Sequence, residues 1–352
     1  MRIAVVTTSF PRSTDDPSGH FVRSSALALA AAGHEVHVVA PGGSPFAPRE
    51  EQGGLIVHRA GGGSLFAWPG ALARAEEAPW RLLAAGVFAA GVLARLGAIG
   101  PIDRAVAHWI VPCAFPLAIA GTRAPLDVVA HGADVRLLLQ APREVRERVL
   151  GALLDRRARF TFAAAALLDG LSRSLGPRLA EALVRHAHVE PPAIDVPEVG
   201  ERAAALRASL ALGAGERLVV TVCRLIPSKR VALAIDAVRA AGPGRRLVVV
   251  GDGPERQALG EKVAETGAAV TFTGALPRRE ALAWIAAADL LLHPSAVEAA
   301  PTVIREARAL GVPVIACDAG DVAAWAADDA GIRVVEGTAE ALGGALANAL
   351  TS

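Results

Sequence analysis

The chain has 352 residues and a formal net charge of +1, which sets an expectation of two domains and excludes a globally basic nucleic-acid binder. Hydrophobic residues make up 53% and mean hydropathy is +0.39, so a large core is expected and a disordered chain is not. Cys113, Cys223 and Cys317 follow no metal or disulfide spacing and read as small core residues of a reducing compartment.

In chain order, Arg2–Thr7 reads as a first strand with no signal-peptide pattern. A polar loop, a helix over about Phe21–Ala32 stopped by Gly33, and a strand over Glu35–Ala40 complete a βαβ unit. Leu55–Arg59 is a further strand. Helices are expected around Leu72–Glu77 and Trp80–Leu96. The apolar run Leu82–Ala94 is too short to span a bilayer; it fits a buried helix, with a surface-dipping one as the alternative. Strands at Asp103–Trp109 and Leu126–Ala130 each end in polar groups, and helices fill about Arg143–Leu154 and Gly176–His186.

Residues 191–200 are rich in proline and glycine and read as a linker between domains 1–190 and 201–352. Strand and helix then alternate again, with strands at Leu218–Cys223, Leu247–Val250, Val270–Thr273, Leu290–Leu292, Val314–Cys317 and Ile332–Val335. The last helix is expected over Ala339–Leu350. Runs such as LVVTVC are apolar on both faces, as in central parallel strands. The expected class is α/β: two tandem Rossmann-like, doubly wound parallel-sheet domains facing each other across a cleft.

In open parallel sheets, ligands sit beyond the carboxyl ends of the strands. The first domain offers Ser18-Gly19-His20, His108-Trp109 and His131-Gly132-Ala133-Asp134 there, and the second offers Arg224, Lys229, Gly251-Asp252-Gly253, Gly274 and Glu298. Arg224 and Lys229, five apart across a strand-to-helix loop, suit a diphosphate. Lys229 is one of only two lysines, with Lys262, in a chain that otherwise uses arginine. The glycines of GDGPE mark a tight turn or close backbone approach to a nucleotide. They lack the third glycine of a dinucleotide fingerprint, which excludes a nicotinamide or flavin enzyme. From His293 to Cys317 the pattern is strand end, loop, helix and strand, with Pro301 in the first helical turn. Val303, Ala307 and Leu310 form its apolar stripe, with Glu306 at the stripe's edge. Glu306 reads either as a solvated helix residue or as one awaiting a partner. No acidic cluster with metal spacing stands out.

Taken together, Arg224-Leu-Ile-Pro-Ser-Lys229, Gly251-Asp-Gly-Pro254, Gly274 and the pair Glu298 and Glu306 resemble the retaining glycosyltransferases of family 4, which have the GT-B fold. Phe10-Pro11, Gly19-His20-Phe21-Val22, Gly33-His34-Glu35-Val36 and His131-Gly132-Ala133-Asp134 agree, so the likeness covers about residues 1–335. The resemblance implies that Arg224 and Lys229 hold the diphosphate of a nucleotide-sugar donor and that Glu306 takes the ribose hydroxyls. Glu298 would contact the donor sugar, helped by the backbone from Ala299 and Ala300 through Pro301 and Thr302 to Val303. His131 would lie against that sugar, while Gly19, Gly251, Gly253 and Gly274 line the donor site. The acceptor would bind the first domain near His20, His108, Trp109 and Asp134. It further implies a metal-independent, retaining transfer to a hydroxyl acceptor, with no cofactor and no nucleic acid. The expected setting is the cytoplasm or the cytoplasmic face of the membrane, in glycan or glycoconjugate synthesis. The sequence departs from the family pattern at Ala299, where glycine is usual after the first acid. A degenerate sugar-nucleotide-binding partner subunit and a GT-B-fold sugar-nucleotide epimerase are the alternatives.

Overall fold

The computed structural model describes residues 1–12, 16, 19–44, 47–67 and 71–349; Ser18 and Leu350 lie outside them. The chain divides into two compact units, Met1–Ala193 and Ile194–Ser352. The division falls within the proline-rich stretch, and a helix, Gly200–Ser209, begins at that stretch's last residue.

The first unit is built on an eight-stranded sheet. Its strands are β1 (Arg2–Val6), β2 (Glu35–Ala40), β3 (Glu50–Gln52), β4 (Leu55–Arg59), β5 (Arg104–His108), β6 (Leu126–Ala130), β7 (Arg159–Phe162) and β8 (Ala187–Val189). They lie in the order β3-β4-β2-β1-β5-β6-β7-β8, with β3 and β4 antiparallel and the other neighbours parallel. β3, β7 and β8 are the strands the residue pattern did not reveal, because they are only three or four residues long and each carries a polar or charged residue.

The second unit has six parallel strands: β9 (Arg217–Val222), β10 (Arg245–Val250), β11 (Val270–Gly274), β12 (Leu290–His293), β13 (Val314–Cys317) and β14 (Ile332–Val335). Their order is β11-β10-β9-β12-β13-β14. Counted from the first strand of the unit this is 3-2-1-4-5-6, the doubly wound order of the nucleotide-binding folds. Along β9, Leu218 and Val220 join one apolar core with Val248, Leu291, Ile304 and Val314, while Val219 joins another with Ile235, Val249, Leu292 and Ile315. Alternate residues therefore bury opposite faces, which is why the strand reads as continuously apolar.

Two expectations need correction. In the helix Thr302–Ala309 the buried residues are Ile304, Glu306 and Ala307, and Val303 is only half-buried. The inward stripe is thus rotated from the Val303–Ala307–Leu310 reading, and Glu306 lies inside it. Pro301 is the residue before the helix, with φ −64° and ψ 109°, and not part of its first turn. The second correction concerns Leu82–Ala94. A 3-10 turn, Pro79–Leu82, runs into the helix Leu83–Ile99. The combined 21 residues are long and apolar enough, by length and composition, to cross a membrane. Phe88, Gly91, Val92 and Leu96 face inward, but Trp80 is 65% and Leu83 77% exposed. The helix is apolar on its outer face as well, so it is not a fully buried one.

The first unit also carries two histidine pairs that set its pH response. His37 Nδ1 lies 3.0 Å from His58 Nε2 across β2 and β4, and His108 Nδ1 lies 2.8 Å from His131 Nε2. Burial, then the charges of His37, Arg95 and Arg49, hold the His58 imidazole down at about 4. Burial alone does the same to His108. A folded-state value below the unfolded one favours the neutral ring, so this stability is complete above about pH 6.5 and is lost as pH falls through about 4. Thermal melts should therefore show a falling midpoint for the first unit between those limits. A flat midpoint from pH 6.5 to 4 would contradict it.

Candidate active site

The strand order of the second sheet reverses between β9 and β12, and that is where a crevice opens in doubly wound sheets. β9 and β12 pair only through Leu290–Val219 and Leu291–Val220. The next link is a side chain: the Thr221 hydroxyl donates to the Leu292 carbonyl at 2.8 Å. The loops that leave the two strands are then stitched together beyond the sheet. Ala296 N donates to Ser228 O at 2.8 Å, and the Arg230 guanidinium donates to the carbonyls of Pro294 (2.6 Å) and Ser295 (3.3 Å).

Onto this frame the sequence places Lys229 and Glu298. The Lys229 ammonium contacts Glu298 Oε1, and the side chains are 15% and 11% exposed. His293 Nε2, at the end of β12, donates to the same oxygen at 2.9 Å. Burial pushes the Glu298 carboxyl up, but the His293 hydrogen bond and the Lys229 charge outweigh it and hold the group at about 2. Glu298 is thus a buried carboxylate in the charged form, with both partners on one oxygen. Arg224 is exposed on the same loop. Its charge, like those of Lys229 and Glu298, acts on the Cys223 thiol, which burial nevertheless pushes up to about 12.

For Gly251 and Gly253 the fold itself supplies a reason for glycine, in line with the tight-turn reading. A Cβ on Gly251 would lie 1.8 Å from Cys223 O, and one on Gly253 would lie 2.4 Å from Leu225 O. The loop after β10 is pressed against the loop after β9, with Leu225 N donating to Asp252 O at 2.9 Å and Glu255 N to Leu225 O at 3.1 Å. The glycines let one loop brace the other, the one carrying Arg224 and Lys229. Gly274 continues the series: its carbonyl accepts from Gly251 N at 2.9 Å.

Glu306 is 7% exposed and its Oε1 accepts from the Arg278 guanidinium at 2.8 Å. The same nitrogen of Arg278 contacts the carbonyl of Asp195. The acid that awaited a partner has one from the helix after β11. Ala299 O accepts from Asp321 N at 3.1 Å, which fixes the backbone ahead of Ala300 and Pro301. The first amides of the helix that follows, at Thr302 and Val303, have no intrahelical acceptor and remain suited to an anion or hydroxyls.

In the first unit, β5 and β6 bring His108 and His131 together as stacked rings, with centroids 5.1 Å apart and an interplanar angle of 7°. His131 also lies 4.8 Å from the Trp109 ring and 4.9 Å from Phe21, and His20 stands edge-on to Phe21 at 5.7 Å. Trp109 has φ +77°, a strained conformation for a side chain of that size. Gly19 begins the helix His20–Ala31, and its carbonyl accepts from Val22 and Arg23. Asp134, expected to face an acceptor, is 1% exposed. Its oxygens accept from the backbone of Ile110 (2.8 Å), Gly132 (3.0 Å) and His131 (3.2 Å). It shapes the turn bearing His131 and does not line an open surface. Among the described residues no group of three or more His, Cys, Asp or Glu is placed to hold a metal ion.

His293 and Arg278 were missed as site residues. His293 carried the same signal as His131, a polar residue closing an apolar strand. Arg278 had none, because its partner lies on another helix.

Residues 203–352 match the family model of the glycosyl transferases group 1. The second unit is thus similar to the glycosyl transferases group 1 over nearly its whole length. A GDP-mannose-dependent alpha-mannosyltransferase of Corynebacterium glutamicum is 38% identical over 124 residues, which are 34% of this chain and 28% of that protein. A GDP-mannose-dependent alpha-(1-6)-phosphatidylinositol monomannoside mannosyltransferase of Mycolicibacterium smegmatis is 33% identical over 187 residues, 48% of each. The matched stretch thus spans less than half the length of either relative. The structure of HepE from Anabaena, solved in complex with UDP, superimposes with a TM-score of 0.68 at 21% identity, covering 100% of this chain and 89% of that one. The matched residues therefore stand in a chain with the GT-B fold, and the switch-point loops carrying Lys229 and Glu298 fall within them.

Proposed function

We propose that the chain is a retaining, metal-independent glycosyltransferase that moves a sugar from a nucleotide diphosphate sugar to a hydroxyl acceptor. The observation that carries this reading is the Lys229–Glu298 pair at the switch point of a group 1 domain. A cation and a carboxylate at one strand-order reversal supply the two things a sugar nucleotide needs: charge for the diphosphate and an acceptor for sugar hydroxyls.

Transfer breaks the bond between the anomeric carbon and the diphosphate, and negative charge grows on the departing oxygen. Lys229 and Arg224 act on that charge as it develops, which lowers the barrier more than it strengthens ground-state binding. Glu298 holds the sugar by its hydroxyls. Glu306, oriented by Arg278, accepts from the ribose. For retention the acceptor attacks the face that the diphosphate leaves, and a departing phosphate oxygen takes the acceptor's proton. No pair of carboxylates at hydrolase spacing is required. In the first unit, Trp109 offers a ring face and His20 a polar edge for the acceptor. A cytoplasmic location, with peripheral contact to the inner membrane surface through Trp80, Leu83 and Val87, belongs to the same reading.

The relatives are named for GDP-mannose, so it is the first donor to try, with UDP-glucose second. Incubation with each and a panel of hydroxyl acceptors, read by mass spectrometry, should give product whose anomeric configuration by NMR matches the donor. Excess EDTA should leave the rate unchanged. An inverted product, or a rate abolished by EDTA and restored by a divalent cation, would overturn the reading.

A further inference from the structure

We propose that His293 is a positioning residue for Glu298, holding the carboxylate in place when Lys229 leaves it for the donor's diphosphate. The inference rests on the function proposed above. It starts from the convergence of two donors, Lys229 Nζ and His293 Nε2, on the single oxygen Oε1 of Glu298. Lys229 has two roles that compete: it cannot give its full charge to a diphosphate and to Glu298 together. Once it turns to phosphate, Glu298 would be a buried carboxylate that has lost its counter-charge, and such a group is costly unless another donor remains.

The two partners differ in how far they can move. Lys229 is at the end of a short 3-10 turn, Pro227–Lys229, on a flexible four-carbon stem. His293 is the last residue of β12, paired with Ala316 of β13, and its side chain is 3% exposed. Its ring is therefore fixed by the sheet. Because a carboxylate only accepts, Nε2 carries the proton in this bond. The backbone between them is held separately, by Ala296 N to Ser228 O and by Arg230 to Pro294 and Ser295. The loop thus keeps its course, while the orientation of the Glu298 side chain depends on its two donors. Of these, His293 is the one that stays. Glu298 Oε2 has no hydrogen-bond partner among the described residues, and it is the oxygen left to meet a sugar hydroxyl.

The test separates sugar recognition from nucleotide recognition. His293→Leu and His293→Gln are titrated with GDP and GDP-mannose, or with UDP and UDP-glucose if the wild type prefers that pair. A hydrogen bond to a charged group is worth roughly a tenfold to hundredfold change in affinity. His293→Leu should bind the nucleoside diphosphate within about twofold of wild type, but lose at least about tenfold in affinity for the sugar nucleotide and in kcat/KM. His293→Gln, which keeps an Nε2 donor, should restore most of that loss. Equal affinities for the sugar nucleotide in wild type and His293→Leu would overturn the proposal, as would parallel loss of both ligands in a folded variant. If His293→Leu does not fold, His293→Gln decides alone: sugar-nucleotide affinity near wild type supports the role, and its loss refutes it. Absence of nucleotide binding by the wild type is a different result, and removes the proposed function itself.

Discussion

Replacing Lys229 with alanine should lower the rate of sugar transfer by about 100- to 1000-fold, corresponding to about 3–4 kcal/mol of lost transition-state stabilisation. The ammonium is the cation that touches Glu298 at the switch point. Its removal takes charge from the departing diphosphate and also strips Glu298 of its counter-charge, leaving only the His293 hydrogen bond. The melting temperature should move little, since the loop is held by the backbone hydrogen bonds of its Leu225 and Ser228 and by the Arg230 guanidinium on Pro294 O, and not by the lysine tip. Lys229→Arg should not restore full activity, because a planar, longer guanidinium does not occupy the place of a compact ammonium. Steady-state kinetics on the folded variants checks this, and wild-type activity in Lys229→Ala would remove the diphosphate assignment.

The second large effect is on stability. Gly251 has φ +141°, and a methyl group there would sit 1.8 Å from Cys223 O. The neighbour is backbone in a central strand's exit loop, so it has no easy way to yield. Gly251→Ala should cost about 3 kcal/mol or more, which for a domain of this size lowers its melting temperature by roughly 6–12 °C. Nucleotide affinity should fall with it, because the displaced loop is the one carrying Arg224 and Lys229. Gly274→Ala is the control. It also has positive φ, at +76°, but nothing lies within 4 Å of its added methyl, so only the left-handed backbone penalty of about 1–2 kcal/mol applies. Comparable melting points for the two variants would show that the loop-on-loop contact is not the reason for Gly251.

These predictions draw unequally on sequence and structure. That Lys229 and Glu298 lie at strand ends was legible, because strands β9 and β12 are apolar runs ended by polar residues. That they touch was not: contact follows from the strand order 3-2-1-4-5-6, which places two strands distant in sequence side by side. The glycines of GDGPE were legible as a tight approach, but the partner they approach is another loop of the same unit, and no local pattern encodes that. Glu306 shows the limit of periodicity in a short helix. Over eight residues, a shift of one position separates an edge residue from a buried one, and Arg278 stabilises the buried choice from a different element. The run within Leu83–Ile99 stayed open between a buried and a surface-dipping helix for a related reason: a helix apolar all round gives no sign of which side is covered. Asp134 looked like a site residue because it follows His131, whereas its three backbone hydrogen bonds make it the residue that shapes that turn.

The central claim is that the switch point of the second unit is a diphosphate site built around Lys229. Isothermal titration of the wild type with GDP, UDP and ADP tests it most directly, with Lys229→Ala alongside. The account predicts that at least one nucleoside diphosphate binds, that its nucleoside monophosphate binds more weakly, and that the variant loses most of the diphosphate's advantage. Binding of none of the three by folded wild-type protein, or equal binding by the variant, would contradict it.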